Sequence, residues 1–283
     1  MTSEVANDGA LRIFADPIVA LLSATVGVKS ILCFGSWAIG TNDEYSDVDL
    51  YVVCDPEVVP FPERRAGLLK VPGISGLKEN EPDHWDNQWC PYGEKFLVSG
   101  TRFDVHYNTA EWIKIVVTKT ARNGEVSFPE LRFRPYSVLG LLEHSRILHD
   151  PDSFLKDIKA SLYPFPKRLK SALIDQNQTM CQESLNEMRD YTKRGIGNTS
   201  YLFHLARVTD SMGELLFAIN GRYSPATKRV EELLKRLAIL PKDFLDRYTK
   251  ALELPCDEAH RRKQVDALQA IKDEIDELAE NGA

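Results

Sequence analysis

Hydrophobic and polar positions follow two different rhythms along this chain, and the change comes near residue 152. Before it, short β-rich runs alternate with helical stretches. Pro17 to Val28 has the three- and four-residue spacing of an amphipathic helix. Ser30 to Phe34 (SILCF) is a short apolar run that predicts a buried strand, broken by Gly35 and Ser36. Val48 to Val53 (VDLYVV) predicts a second strand. Glu94 to Val98 and Arg102 to Tyr107 flank Ser99-Gly100, a pair suited to a hairpin turn. Thr109 to Thr120 predicts a helix with Trp112, Ile113, Val116 and Val117 on one side, and Arg146 to Leu148 a last short strand.

After residue 152 the pattern is helical. The clearest stretch runs from about Thr199 to Asn220, where Tyr201, Leu202, Leu205, Val208, Met212, Leu215, Leu216 and Ile219 recur at helical spacing. Further helices are expected over 153–161, 165–175, 179–193, 227–237, 241–252 and 257–280, separated by Pro164, Gly195, Gly197, Gly221, Pro225, Pro241 and Pro255. The expected architecture is an α+β domain over 1–152, a small mixed β-sheet flanked by helices, followed by an all-α helical bundle over 153–283.

Charge sharpens the division. Residues 1–152 hold 14 bases and 22 acids, and residues 153–283 hold 21 bases and 20 acids, within a 283-residue chain of net charge −7. That balance speaks against coating nucleic acid or an anionic membrane. No apolar run approaches the ~18 residues that span a bilayer. The opening MTSEVANDGALRIF lacks the basic and apolar regions of a secretory signal. Five scattered cysteines show no zinc spacing and are expected as reduced thiols in a cytoplasmic protein.

The chemistry concentrates in Phe34-Gly35-Ser36, followed after ten residues by Asp47-Val48-Asp49-Leu50. A strand ending in a small-residue turn lets an anion approach backbone N–H groups, and the Ser36 hydroxyl adds a donor. Asp47 and Asp49, two apart in an otherwise apolar run, are expected on one face of a core strand. Two poorly solvated carboxylates repel unless a cation neutralises them, and oxygen-only ligands suit Mg²⁺. Asp104, in the alternating run Arg102-Phe103-Asp104-Val105-His106-Tyr107, is the third candidate. Three carboxylates facing a triphosphate would make a two-metal phosphoryl-transfer site. His106 is expected on the opposite face from Asp104, as a packing residue. Thr41, Asn42 and Ser46 fall in the loop between the motifs and would line a phosphate channel or simply form a polar loop. Lys228, after Tyr223-Ser224-Pro225, would close on the triphosphate or remain solvated. His204, Arg207, Ser211 and Glu214 form a polar stripe expected to face solvent, or else to face the cleft and receive an acceptor.

The ordered combination resembles the nucleotidyltransferase superfamily that includes DNA polymerase β: a hydrophobic residue, Gly-Gly or Gly-Ser, a spacer, then Asp-x-Asp or Asp-x-Glu. The resemblance covers residues 29–107. With a helical bundle behind it, the chain is similar to the aminoglycoside and lincosamide nucleotidyltransferases. It is also similar to a group of bacterial proteins of unknown function, through SDVDLYVV, FDVHYNTAEW, RILHDPDSFL and YSPATKRVEELL. The resemblance implies that Gly35 and Ser36 cradle the β- and γ-phosphates, that Asp47 and Asp49 bind metal, and that Asp104 binds the catalytic metal and helps deprotonate the attacking hydroxyl. It implies two Mg²⁺ ions and a nucleoside triphosphate, ATP being expected, as donor of a nucleoside monophosphate. The acceptor hydroxyl is expected on an antibiotic-like small molecule rather than on nucleic acid, with pyrophosphate released. A protein- or tRNA-modifying enzyme and a nucleotide-binding regulatory module without turnover stay open beside it.

Overall fold

The computed structural model describes residues 2–80, 91–127, 134–224 and 230–281, with side chains from residue 11 onward. The chain divides into two compact units, Met1–Pro164 and Phe165–Ala283.

The first unit opens with helix α1 (Thr2–Ser23), whose Leu11, Ala15, Ile18 and Leu22 recur on one face and are fully buried. Strand β1 (Val28–Phe34) follows, then the single-turn helix α2 (Gly35–Ile39), strand β2 (Val48–Cys54) and helix α3 (Phe61–Leu68). Strands β3 (Ile74–Asn80), β4 (Tyr92–Val98) and β5 (Thr101–Thr109) come next, then helix α4 (Ala110–Val117), extended by a π turn over Thr118–Arg122. Helix α5 (Pro135–His144), strand β6 (Arg146–His149) and helix α6 (Phe154–Ser161) complete the unit.

The six strands form one mixed sheet in the order β3-β4-β5-β2-β1-β6. Only β2 and β5 pair in parallel, with Asp49 opposite Asp104; the other neighbours are antiparallel. Ser99 and Gly100 both have positive φ, 49° and 89°, as the two-residue hairpin between β4 and β5 requires. Alternation then decides which side chains enter the core. Leu50, Val52 and Cys54 of β2 join Phe103, Val105 and Tyr107 of β5, with α1 packed in the same cluster. The opposite face carries Asp49, Asp104 and His106.

Helix α3 is weakly apolar, and an ion pair ties it to the sheet. The guanidinium of Arg64 pairs with Glu94 of β4 and lies 4.4 Å from the Tyr107 ring centroid, all three side chains being buried. Such a pair is strongly destabilising to break, because one charge would be left buried and unpaired.

The second unit consists of α7 (Lys167–Arg194), α8 (Asn198–Ile219), α9 (Val230–Leu234), α10 (Phe244–Leu252) and α11 (Glu258–Asn281), with no strand among the described residues. Leu173, Leu185 and Met188 of α7, Val208, Met212 and Leu215 of α8, and Leu268 and Ile275 of α11 are buried. The turn between α7 and α8 uses Gly195 at φ 62°, whose N–H donates to the Tyr191 carbonyl. A mixed α/β sheet of six strands, followed by a helical region, is the architecture expected.

Several details differ from expectation, beginning with α1, which ends at Ser23 rather than Val28, and with α3 and β3, which the apolar pattern does not mark. The helices expected over 165–175 and 179–193 are one helix, α7. The polar residues between them do not break it, because Asn177 Nδ2 donates to the Leu173 carbonyl and Thr179 Oγ1 to the Asp175 carbonyl within the same helix. Ser211 and Glu214 are buried rather than solvent-facing, since α8 is buried all round from Ser211 to Ile219. Leu202, expected on the apolar face, is exposed. His106 shares the face of Asp104, because residues two apart on a strand point the same way.

Candidate active site

The site forms where β1 ends. Gly35 takes φ 69°, a conformation unfavourable for residues with a Cβ, and a Cβ added there would lie 2.3 Å from Asp49 Oδ2. The turn leads into α2, which stops at Gly40 with φ 75°, and the Thr41 N–H returns to the Ser36 carbonyl at 3.0 Å. The next loop holds itself together: Ser46 Oγ donates to Asp43 Oδ1, and the Asp43 N–H donates back to Ser46 Oγ, both at 2.9 Å.

Strand β2 then presents Asp49 beside Asp104 of β5. Across the hairpin, Lys95 of β4 stands directly opposite Asp104, and its ammonium lies 2.6 Å from Asp104 Oδ2. The Asp104 side chain is 7% exposed and that of Lys95 42%. Asp104 Oδ1 is buried with no hydrogen-bond partner among the described residues. Burial pushes the Asp104 carboxyl above its usual range, against the hydrogen bond and charge of Lys95; the negative charge of Asp47 adds to the rise. Burial, with Lys95, pushes the His106 imidazole down to about 4 against the opposing charge of Asp47, so it is neutral near pH 7. The His106 ring lies 5.5 Å from that of Phe34.

Asp49, Asp104 and His106 each offer a ligand atom, and these atoms lie within 4.8 Å of one another. The donor set suits a divalent cation. The partnerless Oδ1 of Asp104 is the second sign of fit, since a buried carboxylate oxygen is costly without a cation or donor. At the end of the β4–β5 hairpin, a cavity of about 570 Å³ is lined by Phe14, Trp37, Tyr45, Ser46, Leu97 and Arg102, among others.

A family model described as a nucleotidyltransferase domain matches residues 18–118. This stretch is a nucleotidyltransferase domain. Among solved structures, the chain is similar to a nucleotidyltransferase-like protein from Exiguobacterium sibiricum 255-15. That alignment covers 93% of this chain and 74% of the other, with 11% identity and a TM-score of 0.43. The curated proteins give no match.

The nucleotidyltransferase domain spans β1, β2 and β5, and with them Gly35, Ser36, Asp47, Asp49 and Asp104. Asp49 and Asp104 come together. Asp47 stands just ahead of β2 and outside the group within 4.8 Å, yet its charge acts on both Asp104 and His106. The Thr41 hydroxyl is buried without a hydrogen-bond partner among the described residues, and that of Ser46 is engaged in its own loop. Lys228 lies outside the described residues.

Two residues of the site were not among the expected ones. His106 could have been found from the strand period alone. Lys95 could have been found by counting outward from the Ser99-Gly100 turn, which places residue 95 across from residue 104.

Proposed function

We propose that the nucleotidyltransferase domain transfers a nucleoside monophosphate, AMP from ATP, to the hydroxyl of an antibiotic-like small molecule, releasing pyrophosphate. The observation that carries this is the in-register pairing of Asp49 with Asp104, one oxygen of Asp104 lacking a partner among the described residues, inside the matched segment. Asp49 and Asp104 would hold Mg²⁺, and Asp47 would add its charge from the mouth of β2. Two bound Mg²⁺ ions would supply Lewis acidity to the phosphates and lower the pKa of the attacking hydroxyl. Asp104 would hold the metal through Oδ1 and take the hydroxyl proton on Oδ2 once Lys95 leaves it. Gly35 and Ser36 would border the β- and γ-phosphates, Ser36 through its hydroxyl, with Thr41 and Lys228 as further donors to the nucleotide and Ser46 joining them only by releasing Asp43. The acidic balance of the first 152 residues favours a small acceptor over tRNA. The free thiols of Cys33, Cys54, Cys181 and Cys256 favour action in the cytoplasm.

A second reading, nucleotide binding without turnover, is favoured by Lys95, whose ammonium already neutralises Asp104. Incubation with each α-labelled nucleotide, Mg²⁺ and a metabolite extract separates the two. The wild type should form adducts of nucleoside-monophosphate mass. Asp104→Asn should form none while binding nucleotide nearly as well by calorimetry. Tight nucleotide binding with no adduct from any acceptor would leave only the second reading, and full transfer by Asp104→Asn would remove this mechanism.

A further inference from the structure

We propose that His106 completes the metal position at Asp49 and Asp104 and makes it favour Mn²⁺ over Mg²⁺. The inference rests on the reading of these two carboxylates as metal ligands and adds a nitrogen donor to them.

Three observations carry it. Asp104 and His106 are two apart on β5, and Asp49 faces Asp104 from the parallel neighbour, so three side chains from two central strands rise from one face of the sheet. Their nearest ligand atoms lie within 4.8 Å of one another. Around a six-coordinate ion with bonds of ~2.1 Å, neighbouring ligands stand ~3.0 Å apart, so side-chain adjustments of up to about 1 Å each would bring all three onto one ion.

The second observation is the state of Asp104. Lys95 occupies Oδ2, while Oδ1 is buried and has no partner among the described residues. One oxygen therefore remains for a cation without displacing the lysine. The third is the setting of His106. It is 5% exposed and its ring packs against Phe34, so the imidazole is held beside the carboxylates rather than swinging in solvent.

The donor set decides the ion. Mg²⁺ prefers oxygen and gives up its water reluctantly, whereas imidazole suits the transition metals. Two carboxylates and one imidazole, with water or a phosphate oxygen in the remaining positions, suit Mn²⁺ better than Mg²⁺, which would be held by the carboxylates alone. Asp47 lies outside this group and would serve a second ion bound through oxygen alone.

The test uses the full chain without nucleotide. Mn²⁺ and Mg²⁺ affinities are measured by calorimetry for the wild type, His106→Asn and His106→Gln. Pulsed electron paramagnetic resonance of the Mn²⁺-loaded wild type then looks for hyperfine coupling to a directly bound imidazole nitrogen. The wild type should bind Mn²⁺ more tightly than Mg²⁺ and show the nitrogen coupling. Loss of His106 should weaken Mn²⁺ by at least about tenfold, the scale of losing even a supporting group at a metal site, and leave Mg²⁺ nearly unchanged. No nitrogen coupling in the wild type, or an unchanged Mn²⁺-to-Mg²⁺ ratio in a folded variant, overturns the proposal. The spectroscopic arm decides it even where both variants misfold. Adduct formation with Mg²⁺ and no nitrogen coupling would remove this inference and keep the transfer reading. Nitrogen coupling with no transfer from any nucleotide would do the reverse.

Discussion

Gly35 couples the turn to the carboxylates. Its φ of 69° is left-handed, and a Cβ there would press on Asp49 Oδ2 at 2.3 Å. Gly35→Ala should therefore act twice. The backbone strain should lower stability by about 1–2 kcal/mol in a urea titration. The displaced Asp49 carboxylate should also weaken metal binding, which calorimetry reads separately. Loss of stability with unchanged metal affinity would exclude Asp49 as a ligand. Of this residue-scale detail, Gly35, Asp49 and Asp104 were legible, because a small-residue turn after an apolar run, and an acid inside one, are locally odd. Lys95 was not, because a lysine on a strand is unremarkable until the hairpin register sets it opposite an aspartate. His106 was misplaced through an error of strand period rather than a lack of signal.

Elements show where apolar periodicity stops being informative. Strands β1, β2, β4 and β5 were legible because central strands are apolar and two of them flank a hairpin turn. Helix α3 (FPERRAGL) and strand β3 (ISGLKEN) were not, because few of their residues enter the core. What holds α3 instead is the Arg64–Glu94 pair, a contact between residues 30 apart that no local pattern encodes. Helix α6 is fastened in a similar way. Asp150 Oδ1 accepts from Ser30 Oγ at 2.7 Å and from the Leu155 N–H at 3.2 Å, and Oδ2 accepts from the Lys156 N–H at 3.0 Å. Partial burial pushes the Asp150 carboxyl up, but these hydrogen bonds outweigh it and hold the group below its ordinary value. The unfolded chain thus binds this proton more readily than the folded one, and the stability from Asp150 grows with pH. It should be fully present above the ordinary aspartate pKa of about 3.9 and vanish as pH falls through the lower folded value. Asp150→Asn removes the charge and one of the two acceptor oxygens, so it should cost about 1 kcal/mol near neutrality, the scale of one hydrogen bond, and the gap to wild type should close below about pH 4. Urea titrations across pH check it; a gap that persists unchanged into strong acid would assign the effect to packing.

Across the whole molecule, the ligand residues and the fluorescence probes fall in the same half. All four tryptophans, Trp37, Trp85, Trp89 and Trp112, lie within Met1–Pro164, as do Asp49, Asp104 and His106. Trp37 is buried, so its emission should change when the first unit unfolds. Far-ultraviolet ellipticity, by contrast, is fed by the helices of both units, including the long α7, α8 and α11. An ion that binds the folded first unit and not its unfolded chain stabilises that unit by mass action, by about 2.7 kcal/mol when its free concentration is a hundred times the Kd. Mn²⁺ at that concentration should raise the urea midpoint read by tryptophan emission by the equivalent of that energy. Asp104→Asn, which lacks one of the charged ligands, should show a much smaller rise. If Mn²⁺ left the emission midpoint in place and moved only the ellipticity, the metal would be acting on the helical unit. The carboxylates of β2 and β5 would then not be its site.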